Sequence, residues 1–197
     1  DYTKELLPDA YYNAANALAR KKDYSNALLL YKQAIELKPS YPNTHYFMGL
    51  TYYKMGDIEH AVSSIERAVA LQPDYRTALH DLGILKNQQG DSAVGYNYLG
   101  LAASFAGEYD NAIVHFNTSV AKNPAFVDPH YNAGLSYALS GQTQYAINAF
   151  EKAVALKPDY LDAHLNLQAL YLKIHDDGKA DVAARAAARI RALQAKK

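Results

Sequence analysis

Proline and glycine keep one clock along this chain. Pro39, Pro73, Pro124 and Pro158 are separated by 34, 51 and 34 residues. Gly49, Gly83, Gly100 and Gly134 are separated by 34, 17 and 34. Because 51 is 34 plus 17, the two series share a 34-residue period with one half-period slip. Each of these glycines is followed seven residues later by another: Gly56, Gly90, Gly107 and Gly141. A period of this length restricts the fold to stacked supersecondary units, each burying its apolar face only against its neighbours. A length of 197 residues suits such an array as well as one ordinary domain.

Within the period the pattern is helix–turn–helix. Over residues 42–75, Tyr46, Met48, Gly49 and Tyr52 recur at helical spacing, and Gly56-Asp57 then interrupts. Ala61, Ile65, Ala68 and Val69 continue at i, i+4, i+7 and i+8 until Pro73 ends the second helix. Glycine ends a helix because it enters the left-handed region without a β-carbon clash. Asp57 is placed to cap the next helix by accepting from its free amides. Gly49 stands in mid-helix, where glycine costs about 1 kcal/mol against alanine. Close approach of the paired helix is the reason expected. Composition agrees with helices: alanine and leucine dominate, and glycine and proline total only 17 residues.

These residues resemble the tetratricopeptide repeat (TPR) family. Its 34-residue pattern has an aromatic or Leu at position 4, Leu-Gly at 7–8, Tyr at 11, Ala at 20, an aromatic or aliphatic residue at 24, Ala at 27 and Pro at 32. From Pro8 the chain gives Tyr11, Ala15, Leu18, Ala27, Tyr31, Ala34 and Pro39. From Pro42 it gives Gly49, Tyr52, Ala61, Ile65, Ala68 and Pro73. From Ala93 come Tyr96, Leu99, Gly100, Ala112, Phe116 and Pro124, with Ser119 in place of an alanine. From Val127 come Gly134, Tyr137, Ala146, Phe150, Ala153 and Pro158. From Leu161 the pattern frays: Leu167 and Tyr171 fit, but Gln168 replaces the glycine. The resemblance implies an all-α, right-handed α-solenoid of about eleven helices. Its parts are an N-terminal extension (1–7), repeats at 8–41 and 42–75, a single-helix half-repeat at 76–92, repeats at 93–126 and 127–160, and a degenerate fifth repeat at 161–197 with a basic capping helix.

The half-repeat carries Leu79, Leu82, Gly83 and Gly90, a first helix without its second. Either the next first helix takes the vacant place, or the array breaks into sub-arrays 8–92 and 93–197. In the second case the apolar face of Leu79, Leu82 and Leu85 is open to self-association through 76–106.

In this family first helices line the concave face. The resemblance therefore places Tyr12, Asn13, Asn16, Tyr46, Phe47, Leu50, Tyr53, Asn97, Tyr98, Tyr131, Asn132, Leu135 and Asn166 in the groove. Tyrosine buries apolar area and keeps a hydrogen-bonding tip, and asparagine pairs with a peptide's own N–H and C=O groups. A groove so lined suits an extended or helical protein segment with apolar anchors. Tyr11, Tyr31, Tyr52, Tyr96 and Tyr137 fall at packing positions and are expected in the core. The carboxylate clamp of chaperone-binding TPR proteins is absent: its positions hold Tyr12, Asn16, Phe47, Thr77 and Asp81, of which only Asn16 fits. A weaker likeness, to the TPR arm of O-linked glycosyltransferases, rests on Asn13, Asn132 and Asn166.

Other function classes find little support. Cysteine is absent, which excludes disulfides and thiol catalysis and suits a cytoplasmic or a periplasmic setting alike. Lys plus Arg and Asp plus Glu are 20 each, without the basic excess that nucleic-acid binding needs. No window approaches 18 uninterrupted apolar residues, so no membrane span is expected. HExxH, GxSxG and Gly-rich phosphate loops do not occur, so no catalytic residue, metal or cofactor is expected. His45, His130 and His164 repeat with the architecture and read as packing or rim hydrogen bonds. Asn117-Thr118-Ser119 has the form of a glycosylation sequon but falls within a helix. Residues 179–197 carry six cations and Asp181, or +5. Asp176 or Asp177 can cap that last helix, and its terminal cations complement its dipole. Starting at Asp1 without methionine suggests a trimmed or processed chain. The expected role is a non-catalytic protein-binding scaffold. The alternatives are a homo-oligomeric assembly unit and, more weakly, the substrate-selecting arm of a larger enzyme.

Overall fold

The computed structural model describes residues 2–195, with side chains from Leu7 onwards. Among the described residues there are eleven helices and no strand. They are α1 (Tyr2–Arg20), α2 (Tyr24–Leu37), α3 (Pro42–Lys54), α4 (Ile58–Leu71), α5 (Arg76–Gln88), α6 (Ser92–Phe105), α7 (Tyr109–Lys122), α8 (Val127–Leu139), α9 (Thr143–Leu156), α10 (Leu161–Lys173) and α11 (Asp177–Gln194). They form two compact units, one ending at Gln89 and the other beginning at Gly90. In the first, α1/α2 and α3/α4 are hairpins and α5 packs on α4. In the second, α6/α7, α8/α9 and α10/α11 are stacked hairpins. Each unit is thus a short α-solenoid. The segment expected to precede the first repeat is largely helical, since α1 begins at Tyr2. Lys196 and Lys197 lie outside the described residues. No described helix is long and apolar enough to cross a membrane.

The turns follow the glycine clock. Gly56, Gly90, Gly107 and Gly141 have φ of 82°, 87°, 79° and 80°. The Asp57 N–H closes its turn on the Tyr52 carbonyl at 3.0 Å, the bond that terminates a helix through a left-handed residue. Two turns make this geometry without glycine: Lys22 has φ 65° and His175 φ 60°. Both sit one period from a turn glycine. A β-carbon in this region costs about 1–2 kcal/mol, partly offset by glycine's larger unfolded-state entropy. Lys22→Gly and His175→Gly are therefore each expected to stabilise the chain by about 0.5–1 kcal/mol in urea unfolding. A loss of stability in both would contradict the strain. Across the turns, Asp23, Asp57 and Asp176 cap α2, α4 and α11 by accepting from the amides of Asn26 (3.5 Å), His60 (3.1 Å) and Lys179 (3.1 Å). The bonds from His60 hold the Asp57 carboxyl below the usual carboxylate range.

Between paired helices the core is built from small–large couples. A β-carbon on Gly134 would lie 2.7 Å from the Phe150 ring, and one on Gly100 2.5 Å from Phe116. On Gly49 it would meet Ile65 Cγ1 at 2.6 Å. Phe116, Phe150 and Ile65 are fully buried. This is the close approach that mid-helix glycine implied. The first repeat couples Ala15 with Tyr31, both buried. In the last repeat the register holds Gln168 and Ala184, with the bulk on the opposite helix. Ser119, which replaces an alanine, is fully buried and donates its hydroxyl to the Ala93 carbonyl at 2.6 Å. α11 packs on α10 through Ala180 and Ala183 beside Leu167 and Tyr171.

Repeat boundaries are fastened by histidine. Nε2 of His45, His130 and His164 lies 2.9, 3.0 and 2.9 Å from the carbonyl oxygens of Pro39, Pro124 and Pro158. Each ring ties the first turn of a repeat to the loop before it. One expectation is corrected here. Leu79 and Leu82 are fully buried and Leu85 is 4 % exposed, so the face on which self-association was expected is not open.

Candidate functional site

Successive first helices stand side by side in each unit: α1, α3 and α5 in one, and α6, α8 and α10 in the other. Side chains 35 residues apart join them in a ladder. Tyr46 donates its hydroxyl to Asp81 Oδ2 at 2.8 Å. Asn132 Nδ2 donates to Asn97 Oδ1 at 3.1 Å, and Asn166 Nδ2 to the Tyr131 hydroxyl at 3.3 Å. The remaining rung is apolar: the Tyr12 and Phe47 rings meet edge to face at 5.9 Å. The period explains the spacing, since each rung joins the fifth position of one first helix to the sixth position of the next.

Tyrosines from the inter-repeat loops cover the ladder's edge. Tyr41 packs on Tyr12 (5.7 Å), Tyr75 on Tyr46 (5.0 Å) and Tyr160 on Tyr131 (4.7 Å). Lys38 and Lys157 lie over Tyr41 and Tyr160 at 4.6 and 4.8 Å, a cation–π contact on the outer face. Burial pushes the Tyr160 hydroxyl up to about 12, with the neighbouring Tyr131 adding to it. Burial also raises the Tyr46 hydroxyl, and its bond to the Asp81 carboxylate adds to that. These hydroxyls stay protonated and serve as fixed donors or acceptors. Tyr31, whose hydroxyl burial lifts to about 12, donates to Asn16 Oδ1 at 2.6 Å.

The expected groove residues divide accordingly. Tyr46 and Asn97 are only 5 % and 6 % exposed. They hold the ladder together and are closed to a partner, contrary to expectation. Asn13 and Tyr53 are exposed. Tyr12, Asn16, Phe47, Leu50, Tyr98, Tyr131, Asn132, Leu135 and Asn166 are half-buried. In the first unit, Tyr12, Asn16, Phe47 and Leu50 line a cleft of about 290 Å³ together with Arg20 and Lys54. A second cleft of about 290 Å³ joins Leu50 and Tyr53 to Asp81 and Ile84. In the second unit, Asn132, Leu135 and Asn166 share a cleft of about 820 Å³ with Leu101, Phe105 and Leu139. Arg20, Lys54, Phe105 and Leu139 were not among the expected residues. All four occupy the thirteenth position of a repeat, and comparing that register down the chain would have found them. Among the described residues, no three His, Asp or Glu side chains are grouped to hold a metal ion.

The family model described as "Tetratricopeptide repeat" matches residues 42–75 and 127–160, and one described as "TPR repeat" matches 15–56. The chain is a tetratricopeptide-repeat protein. Among solved structures, this TPR chain is similar to MamA at 24% identity and TM-score 0.54, over 93% of this chain and 97% of that one. It is also similar to PilF of Pseudomonas aeruginosa, at 14% identity and TM-score 0.47 over 99% and 100% of the two chains. A third is YrrB, described as a TPR protein with an unusual peptide-binding site, at 21% identity and TM-score 0.43 over 94% and 90%. No curated protein sequence matches the chain. At 24% identity the likeness to MamA is one of fold. TPR arrays of this kind are protein–protein interaction scaffolds, and the clefts are where such a role has to be sought.

Proposed function

We propose that this TPR chain is a non-catalytic scaffold that binds a protein segment on the face of its first helices. The observation that carries the reading is the 820 Å³ cleft of the second unit. Phe105 and Leu139, 49 % and 62 % exposed, give it apolar area that a bound segment would remove from water. Its floor offers the Asn132 and Asn166 amides beside Leu101 and Leu135. Apolar anchors with a few fixed polar groups are what a peptide site requires. The homo-oligomer reading placed self-association through 76–106 or at the ends of the array, and the burial of Leu79, Leu82 and Leu85 removes the apolar face that supported the first of these.

Peptides selected from a display library against the intact chain test the reading. Phe105→Glu with Leu139→Glu should weaken the selected peptides about tenfold or more, because both changes place charge on an apolar contact. Both side chains are largely outside the core, so the thermal unfolding midpoint should stay unchanged. Binding indifferent to this pair would refute the cleft of the second unit as the site.

A further inference from the structure

The first unit's cleft differs from the second's in charge. At the thirteenth position, where the second unit has Phe105 and Leu139, the first has Arg20 and Lys54. Both cations line the 290 Å³ cleft with Tyr12, Asn16, Phe47 and Leu50. The Lys and Arg ion pairs among the described residues lie away from this cleft: Lys86 meets Glu66 at 2.7 Å, and Arg185 meets Asp181 at 3.0 Å. Among the described residues no carboxylate lies within ion-pair distance of Arg20 or Lys54. Lys54 also borders the adjoining cleft, where its ammonium lies 5.9 Å from the Tyr53 ring centre and where Asp81 accepts from the Tyr46 hydroxyl. Two unmatched cations over an aromatic floor make a positive potential that the concave, low-dielectric wall concentrates. Asn16 accepts from Tyr31 through Oδ1, which leaves its amide N–H groups as further donors.

We infer that the first unit's cleft receives an Asp or Glu carboxylate of a partner protein segment between Arg20 and Lys54, with a neighbouring apolar side chain of that segment on Phe47 and Leu50. The inference rests on the scaffold reading and names the chemistry of its partner. A second copy's C-terminal helix is a poor occupant, because residues 179–197 carry +5. Nucleic acid is a poor one too: affinity for a phosphate backbone grows with the number of cations, and this cleft has two in a chain of zero net charge.

The test uses the full chain and the display-selected peptides, labelled for fluorescence anisotropy at low and high salt. The selection is expected to enrich Asp or Glu beside an apolar residue. Changing that acid to its amide should weaken binding about tenfold, and high salt should do the same. In the Arg20→Gln/Lys54→Gln variant the acid and amide peptides should bind alike. Both positions are exposed, so the variant keeps the fold, checked by its unfolding midpoint. Selected peptides without acids, or an acid preference that survives the double variant, would overturn the inference and leave the scaffold reading standing. No selected peptide at all would overturn both. A single-stranded oligonucleotide that binds through Arg20 and Lys54 more tightly than any peptide would also overturn it.

Discussion

Gly134→Ala should destabilise the chain by about 1–3 kcal/mol, the range for overpacking a filled core. Helix propensity alone predicts the opposite sign, a gain of about 1 kcal/mol. The reversal arises because the new methyl would lie 2.7 Å from the ring of fully buried Phe150. Phe150→Ala should itself cost about 3–5 kcal/mol, as a buried aromatic lost to a cavity. The double variant decides the matter. With the ring gone, Gly134→Ala should become neutral or stabilising by up to about 1 kcal/mol, so the two changes couple strongly and favourably. Urea unfolding of the four chains measures this, with the m-value checking that the array still unfolds as one. If Gly134→Ala stabilises the otherwise unchanged chain, the close approach is wrong.

Tyr46→Ala should cost about 3–5 kcal/mol, since it empties a buried aromatic site. It also removes the hydroxyl that Asp81 accepts from at 2.8 Å. Tyr46→Phe keeps the ring and removes only that bond, so about 1–2 kcal/mol is expected. The contrast separates two roles. A partner contact would leave stability unchanged and alter binding alone; a rung of the ladder lowers the unfolding midpoint in the order wild type, Phe, Ala. An unchanged midpoint in Tyr46→Ala would return Tyr46 to the binding surface. Tyr53, 39 % exposed, is the counterpart whose removal should barely affect stability.

The fold was legible because its determinants are local and repeated. Asp57 caps and Gly56 turns within a few residues of sequence, and Gly49 signals its neighbour by an unfavourable placement that recurs at one period. The candidate site was legible only in part. Repeat position assigns Tyr46 and Asn97 to the first-helix face, but whether a side chain there is available depends on a residue 35 positions away. Single positions carry no trace of that pairing; reading position five against position six of the next repeat would have revealed it. Two departures from the family pattern have physical counterparts. Ser119 replaces alanine and finds the Ala93 carbonyl. Gln168 replaces glycine in a register whose opposite member is Ala184 rather than a ring. Arg20 and Lys54 look like ordinary surface cations until the cleft brings them together.

The small–large couples bear on how such a chain changes by descent. In each repeat the small member and the bulky member stand 16 residues apart, as in Gly100 with Phe116 and Gly134 with Phe150. A crossover in a loop such as that after Pro73 exchanges both members together and preserves every fit. A crossover in a turn such as Gly56-Asp57 can set a bulky first-helix residue against a bulky second-helix one. The inherited unit is therefore the couple rather than the helix. Gain or loss of a whole period keeps each couple intact, whereas α5 is the one described helix outside the five hairpins, and the array divides into two units directly after it.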